Sequence, residues 1–353
     1  MEKLITEIYE IIKDYRRHDI DFLYHTEITE SHILKWINQF DENDREFVLS
    51  ELLHILKKSY LTEEKTIEIL TLEIETLAKE LGYKNVTDFL NETTILDCQE
   101  PGKSQKIMLK MVEKILLNKY GYNINKSDKN NIKHWLYIDD VLSSGRTFKD
   151  DIIEKINNYG LENFKKDKIN IIGAFIILHY WGVKNNWFSL DLYYKFKISN
   201  SINFLRVVKV DNYPYINNIH HPNPIFNHVY PIKTEIGELF LNELENSFER
   251  DYNLNNKQHA FRNPDYPLEE TFFSTKENRH RFEHIILKKG IEIYNNIGKI
   301  NTASIRPLGF CPPSYQTLGT GSLYITWRNI SNTCPLVFWW DTNGWTPLFP
   351  RKH

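Results

Sequence analysis

Two adjacent carboxylates, Asp139 and Asp140, end an apolar run, His134-Trp135-Leu136-Tyr137-Ile138, and precede Val141-Leu142-Ser143-Ser144-Gly145-Arg146-Thr147-Phe148. An apolar strand that runs into two acids, a hydroxyl-rich turn with one glycine and a helix start is the order that builds an anion site. Backbone N–H groups of such a turn point at an anion, and the helix dipole favours negative charge there. The two acids, at the strand's carboxyl end, can accept from sugar hydroxyls or hold Mg²⁺ through water. An ordinary strand and turn with solvated acids is the plain alternative.

A second turn has related chemistry. Thr93 to Cys98 reads as a short strand, and Glu100-Pro101-Gly102-Lys103-Ser104-Gln105 as a turn into a periodic helix from Ile107 to Tyr120. A Walker A loop would need glycine at 97, where the chain has Asp97. Two other groups compete for attention. His280-Arg281-Phe282-Glu283-His284 matches the inverted zinc-protease pattern, but only Glu292 and Asp341 follow as acids, so the ligand set reads as incomplete and a surface helix is expected. The tryptophans near the C-terminus could stack a base, although packing is the commoner fate of such rings.

The elements that must position these residues follow from periodicity. Phe148, Ile152, Ile153 and Ile156 carry a helix on to Tyr159-Gly160, and Ile169 to Leu178 reads as a strand buried on both faces of a parallel sheet. Residues 1–90 read as helices, with stripes at Leu4, Ile5, Ile8, Ile11 and Ile12, at Ile33, Trp36, Ile37 and Phe40 after a capping Ser31, and onward to Leu77. Leu190, Leu192, Tyr194, Phe196 and Ile198 alternate as a strand would, as do Phe204 to Val210. Helices are expected from Lys233 to Phe248 and from Asn278 to Tyr294, and the tail from Arg306-Pro307-Leu308-Gly309-Phe310 through Trp327 to Trp345 is aromatic and turn-rich.

With 353 residues and a formal charge of −3, the chain can hold a large core and has no bulk attraction to nucleic acid or membrane; direct nucleic-acid binding stays open. Charge is segregated locally: residues 61–100 hold ten acids and three lysines, residues 101–134 eight lysines and two acids. Such stretches are either two solvated helical faces or a phosphate-attracting rim and interface. Cys98, Cys311 and Cys334 are too scattered for a disulfide framework, and no apolar run approaches a membrane span. A cytoplasmic protein is expected.

The run from Trp135 to Thr147 resembles the phosphoribosyl-pyrophosphate (PRPP) signature of type I phosphoribosyltransferases: apolar residues, two acids, variable positions, then Ser or Thr, Gly, any residue, Thr. The resemblance spans about residues 91–215. It implies an α/β fold, with a phosphoribosyltransferase-type parallel sheet (91–215) between a helical N-terminal domain (1–90) and a C-terminal extension (216–353). It also implies that Ser143, Ser144, Gly145, Arg146 and Thr147 hold a 5′-phosphate, that Gly102, Lys103 and Ser104 hold pyrophosphate, and that Asp139 and Asp140 hold the ribose hydroxyls and Mg²⁺. In that family a strand and a closing loop precede the PRPP strand. Here only Gly121 to Lys133 are available, which puts base transfer in doubt but not binding of a phosphorylated sugar. The general layout is similar to phosphoribosyltransferase-like proteins of bacterial anti-phage systems, including retron-associated effectors. That implies a toxic, nucleotide-depleting effector restrained as a homo-oligomer or by an operon partner such as a reverse transcriptase with its RNA or DNA. The alternative is a catalytically silent nucleotide-sensing subunit.

Overall fold

The computed structural model describes residues 1–17, 27–124, 131–217, 219–249, 254, 259–341 and 344–351. In chain order it contains α1 (Glu2–Ile12), α2 (Glu30–Ile37), α3 (Glu42–Ser59), β1 (Tyr60–Leu61), α4 (Glu63–Glu80), α5 (Val86–Asn91), β2 (Thr93–Ile95) and α6 (Ser104–Tyr120). There follow β3 (His134–Leu142), α7 (Arg146–Tyr159), α8 (Leu161–Lys166), β4 (Asn170–His179), α9 (Tyr180–Tyr194) and β5 (Ile202–Val210). The chain closes with α10 (Glu235–Glu243), α11 (Lys276–Asn295), β6 (Ile325–Thr326) and α12 (Leu336–Trp339). This is an α/β protein. It divides into two compact units, one of Glu64–Lys209 and one of Met1–Glu63 with Val210–His353.

In the Glu64–Lys209 unit the sheet order is β2-β3-β4-β5, with β2, β3 and β4 mutually parallel. Trp135 pairs with Ile171 and Leu142 with Leu178 in register. Ile171 to Leu178 are buried on both faces, as the continuous apolar run requires. Side chains alternate along β3, so Trp135 and Tyr137 face α7 and pack with Phe148, Ile152 and Ile156. Helix α6 ends on Gly121 at φ 63°, and α7 ends on Gly160, so glycines close both where a left-handed or extended stop is needed. One expectation is corrected here: residues 188–194 belong to helix α9, and a 3₁₀ turn covers Ile198–Ser201. Leu190 packs inward while Phe188, Leu192 and Tyr193 stay exposed, so α9 is apolar almost all round and its residues mimic strand alternation.

In the other unit β1 pairs in parallel with β6, Tyr60 opposite Ile325. Trp36 stacks on Phe338 at 5.8 Å and donates its Nε1–H to the Val337 carbonyl at 2.9 Å. Trp339 donates to the Cys334 carbonyl at 2.7 Å. The aromatic tail thus completes a core with α1–α3, and the compact units differ from three consecutive segments 1–90, 91–215 and 216–353. The N-terminal helices divide at Glu63, and α1–α3 share a unit with the tail. The N-cap of α2 is Thr29, whose hydroxyl accepts from the His32 N–H; Ser31 lies inside the helix.

Candidate functional site

β3 carries its ladder through Asp139 and Asp140 to Leu142, and alternation sends the two acids to opposite faces. Asp139 is buried and Asp140 half-buried. One Asp139 oxygen, Oδ1, accepts from the Ser104 hydroxyl at 2.7 Å and from the Asp140 backbone N–H at 2.8 Å. The other, Oδ2, accepts from Gln99 Nε2 at 3.0 Å. The same Gln99 amide donates to the Tyr137 hydroxyl, which donates to Asp151 Oδ2, both at 2.8 Å. Gln105 Oε1 in turn accepts the backbone N–H groups of Cys98 and Gln99, which fixes the 98–105 turn beneath these groups. Ser104 and Asp139, 35 residues apart, are therefore brought together.

The Ser143–Thr147 turn follows directly. Gly145 sits at φ +78° as the N-cap of α7, a left-handed conformation that a side-chain residue adopts only with strain. Ser144, Arg146 and Thr147 are exposed, and Arg146 pairs loosely with Asp150 at 3.5 Å. Gly102, at φ +93°, and Lys103 are exposed too, and among the described residues no hydrogen bond joins them to the Ser143–Thr147 turn. Of the Gly102–Ser104 turn, then, only Ser104 reaches the acids.

Three helices begin at the carboxyl edge of the parallel strands: α6 after β2, α7 after β3 and α9 after β4. None has a side-chain cap from its N-cap residue and none has an acid in its first turn, although the Arg146 N–H of α7 donates to Ser144 Oγ at 3.4 Å. By contrast α2, α5, α10 and α11 each have a capping Thr or Asn and an acid near the start. The first turn of a helix leaves four N–H groups without intrahelical acceptors, and their partial positive charge is available where no cap answers it. The carboxyl edge of this sheet is thus built to receive negative charge.

Burial shapes the ionisable groups nearby. It pushes the Asp151 carboxyl above the usual range, and it raises the Tyr137 hydroxyl, with Asp139 and Asp151 adding to the effect. The Cys98 thiol is raised to about 11 by burial, with the charge of Asp151 contributing. His179, at the end of β4, is driven down to about 3 by burial and stays neutral.

The competing constellations prove structural. Glu283 accepts from Arg262 Nη2 at 2.9 Å, from Arg279 Nη1 at 3.4 Å and from the Tyr230 N–H at 3.1 Å, all deep in the core, whereas His284 is exposed. The acid of the His280–His284 pattern is thereby committed to two arginines. The charge blocks neutralise each other within their unit, through Lys106–Asp97 at 2.5 Å, Lys119–Glu75 at 3.0 Å and Lys133–Glu92 at 2.9 Å. Among the described residues no helix is long and apolar enough to cross a membrane.

A family model described as PRTase-CE matches residues 33–351. The chain belongs to the PRTase-CE family. It is a phosphoribosyltransferase-like protein, and the PRTase-CE match runs well beyond the 91–215 segment that carries the sequence resemblance: α3 and the aromatic tail are within it. No curated protein matches the chain.

Several site residues of this PRTase-CE protein escape sequence reasoning. Tyr137 was within reach, since it shares a strand face with Asp139 two residues on. Gln99, Gln105 and Asp151 carry no local signal, because their partners are on other elements. Gly182 and Asn186, which pack against the Ser143–Gly145 turn from α9, carry no local signal either, because their partners are on another element.

Proposed function

We propose that the Glu64–Lys209 unit is a phosphoribosyltransferase-type core that binds PRPP or a nucleoside 5′-phosphate with Mg²⁺. The observation that carries this reading is the hydroxyl-rich turn at the uncapped, acid-free start of α7, set beside two carboxylates and the Ser104 hydroxyl. In this reading Ser143 to Thr147 cradle the 5′-phosphate with backbone N–H groups and hydroxyls. Gly102 and Lys103 hold pyrophosphate at the start of α6, where Lys103 supplies a point charge. Ser104 turns between Asp139 and that anion.

The carboxylate donors suit a hard cation: Asp139 or Asp140, at the strand's carboxyl end, would hold Mg²⁺ through water together with phosphate oxygens, and the cation would offset charge on the leaving pyrophosphate. The acids stabilise positive charge that builds at the anomeric carbon, and Asp140 accepts from ribose hydroxyls. The cellular role that fits is a cytoplasmic anti-phage effector acting on nucleotides, held in a homo-oligomer or with an operon partner such as a retron reverse transcriptase; the similarity of layout supports it.

A second reading, a silent nucleotide sensor, is favoured by one feature. Asp139 is buried and accepts hydrogen bonds from Gln99, Ser104 and the Asp140 N–H, which commits that acid to the fold. Titration with PRPP, ribose 5-phosphate and nucleoside monophosphates in Mg²⁺ tests binding, because a ligand of the folded state raises the melting temperature. No shift at millimolar concentration removes both readings. A metabolite profile of expressing cells then separates them: turnover changes nucleotide pools, and sensing leaves them unchanged.

A further inference from the structure

The turn proposed to hold phosphate is gripped from behind by α9. A Cβ on Gly145 would lie 1.5 Å from Asn186 Nδ2 and 3.2 Å from the Gly182 carbonyl oxygen. A Cβ on Gly182 would lie 2.0 Å from the Ser143 carbonyl oxygen and 2.8 Å from Leu142. The turn and the first turn of α9 thus approach at backbone distance, and glycine at both positions is what permits it. Asn186 fills the remaining space. It is 2% exposed, and its Nδ2 donates to the Gly182 carbonyl at 2.9 Å, four residues back on its own helix.

Its Oδ1 is buried without a partner among the described residues. A buried acceptor without a donor costs stability. An apolar side chain of similar size would fill the same space without that cost, so packing alone gives no reason for an amide here. Its location, against the one residue of the turn with positive φ, supplies one.

We propose that Asn186 is a positioning residue for anion binding at the Ser143–Thr147 turn. Its amide, braced on the Gly182 carbonyl, occupies the space beside Gly145, holds that residue in the left-handed conformation, and so fixes where the first N–H groups of α7 point. The inference rests on the phosphate-binding reading given above. The carboxamide suits this place because it is neutral: a carboxylate of the same shape would face the incoming phosphate as a like charge and would repel the Gly182 carbonyl.

The test uses the full chain, inorganic phosphate and ribose 5-phosphate with Mg²⁺ as probes, and two readouts. The first is probe affinity by calorimetry; the second is amide hydrogen exchange over residues 143–147 without ligand. Asn186→Ala should weaken probe binding about tenfold or more, the scale expected when groups in a site shift by a fraction of an ångström, and should speed exchange in the turn. Asn186→Asp should bind the probes more weakly still, although it keeps the shape. Gly145→Ala should lose binding in the wild-type background and regain part of it with Asn186→Ala, since the steric conflict is between these two.

A purely structural Asn186 would lower stability while folded protein bound the probes as before, with Asp no worse than Ala, and that outcome overturns the proposal. If wild type binds no probe, the phosphate reading fails and the anion-positioning role falls with it; a loosened turn in Asn186→Ala would then mark a structural brace only. Should Asn186→Ala fail to fold, Asn186→Asp against wild type decides, with equal affinities counting against the proposal.

Discussion

Two stretches of this chain carry chemistry-bearing residues at suggestive spacing, and the structure treats them oppositely. In Arg279–Glu283 of α11 the buried charges are answered from within. Glu283 is held by Arg262 and Arg279, Arg279 also pairs with Glu270 at 2.5 Å and donates to the Phe226 carbonyl, and α11 is capped by Thr275 with Glu277 in its first turn. At the carboxyl edge of the β2-β3-β4 sheet, three helix starts are uncapped and free of acid, and hydroxyls and a lysine stand exposed beside half-buried Asp140. The difference teaches that a motif whose buried charges are paired on folding is a scaffold, whereas one whose helix starts stay free of acid keeps positive potential for a ligand.

The comparison breaks most visibly at Glu283. Glu283→Ala leaves two buried guanidinium groups short of a partner, and loss of one member of a buried pair costs about 3–5 kcal/mol. Chemical denaturation should show that loss, with no dependence on zinc or chelator. A variant of native stability that has lost bound metal would reverse the assignment.

His179 sharpens the account through pH. Its folded pKa is lowered to about 3 while the unfolded chain takes up the proton near 6.5. Between those values the unfolded state binds more protons, so stability falls as pH falls across the window, by roughly 1.4 kcal/mol per pH unit where the difference is complete. Replacing His179 with Phe should flatten that slope in acid denaturation. An unchanged slope would show that other groups set it.

Ser104→Ala removes one hydrogen bond to the buried Asp139 carboxyl. Such bonds contribute about 0.5–1.5 kcal/mol net, and because Gln99 and the Asp140 N–H remain on Asp139, the lower end is expected from the melting temperature, with weaker pyrophosphate binding. Native stability together with native binding would show the contact to be idle. The smallest effect is at the neutralised charge blocks: Lys119→Ala should change stability by less than about 1 kcal/mol, since its pair with Glu75 is exposed. A larger loss would mean that the pair does more than neutralise.

How much of this was legible in the sequence depended on range. The strand, acid pair, turn and helix from His134 to Tyr159 were legible because each signal is local: period two, then glycine, then period 3.6. The buried β4 run and α11 were legible for the same reason. Helix α9 was not, because Tyr180, Trp181, Phe188, Leu190 and Leu192 put apolar groups on every side and erase the helical period. The partners Gln99, Tyr137 and Asp151 and the wedge of Asn186 are set by packing between elements. The same holds for the closure of the N-terminal helices onto the tail, where Trp36 meets Phe338.

The central claim, that the acid pair and the Ser143–Thr147 turn bind a phosphorylated ribose, is tested most directly by titrating PRPP with Mg²⁺ into wild type and into the Asp139→Asn, Asp140→Asn double variant. The account predicts saturable binding and a raised melting temperature for wild type, and loss of both in a double variant that remains folded by circular dichroism. Equal binding by the two proteins, or none by either, would contradict it.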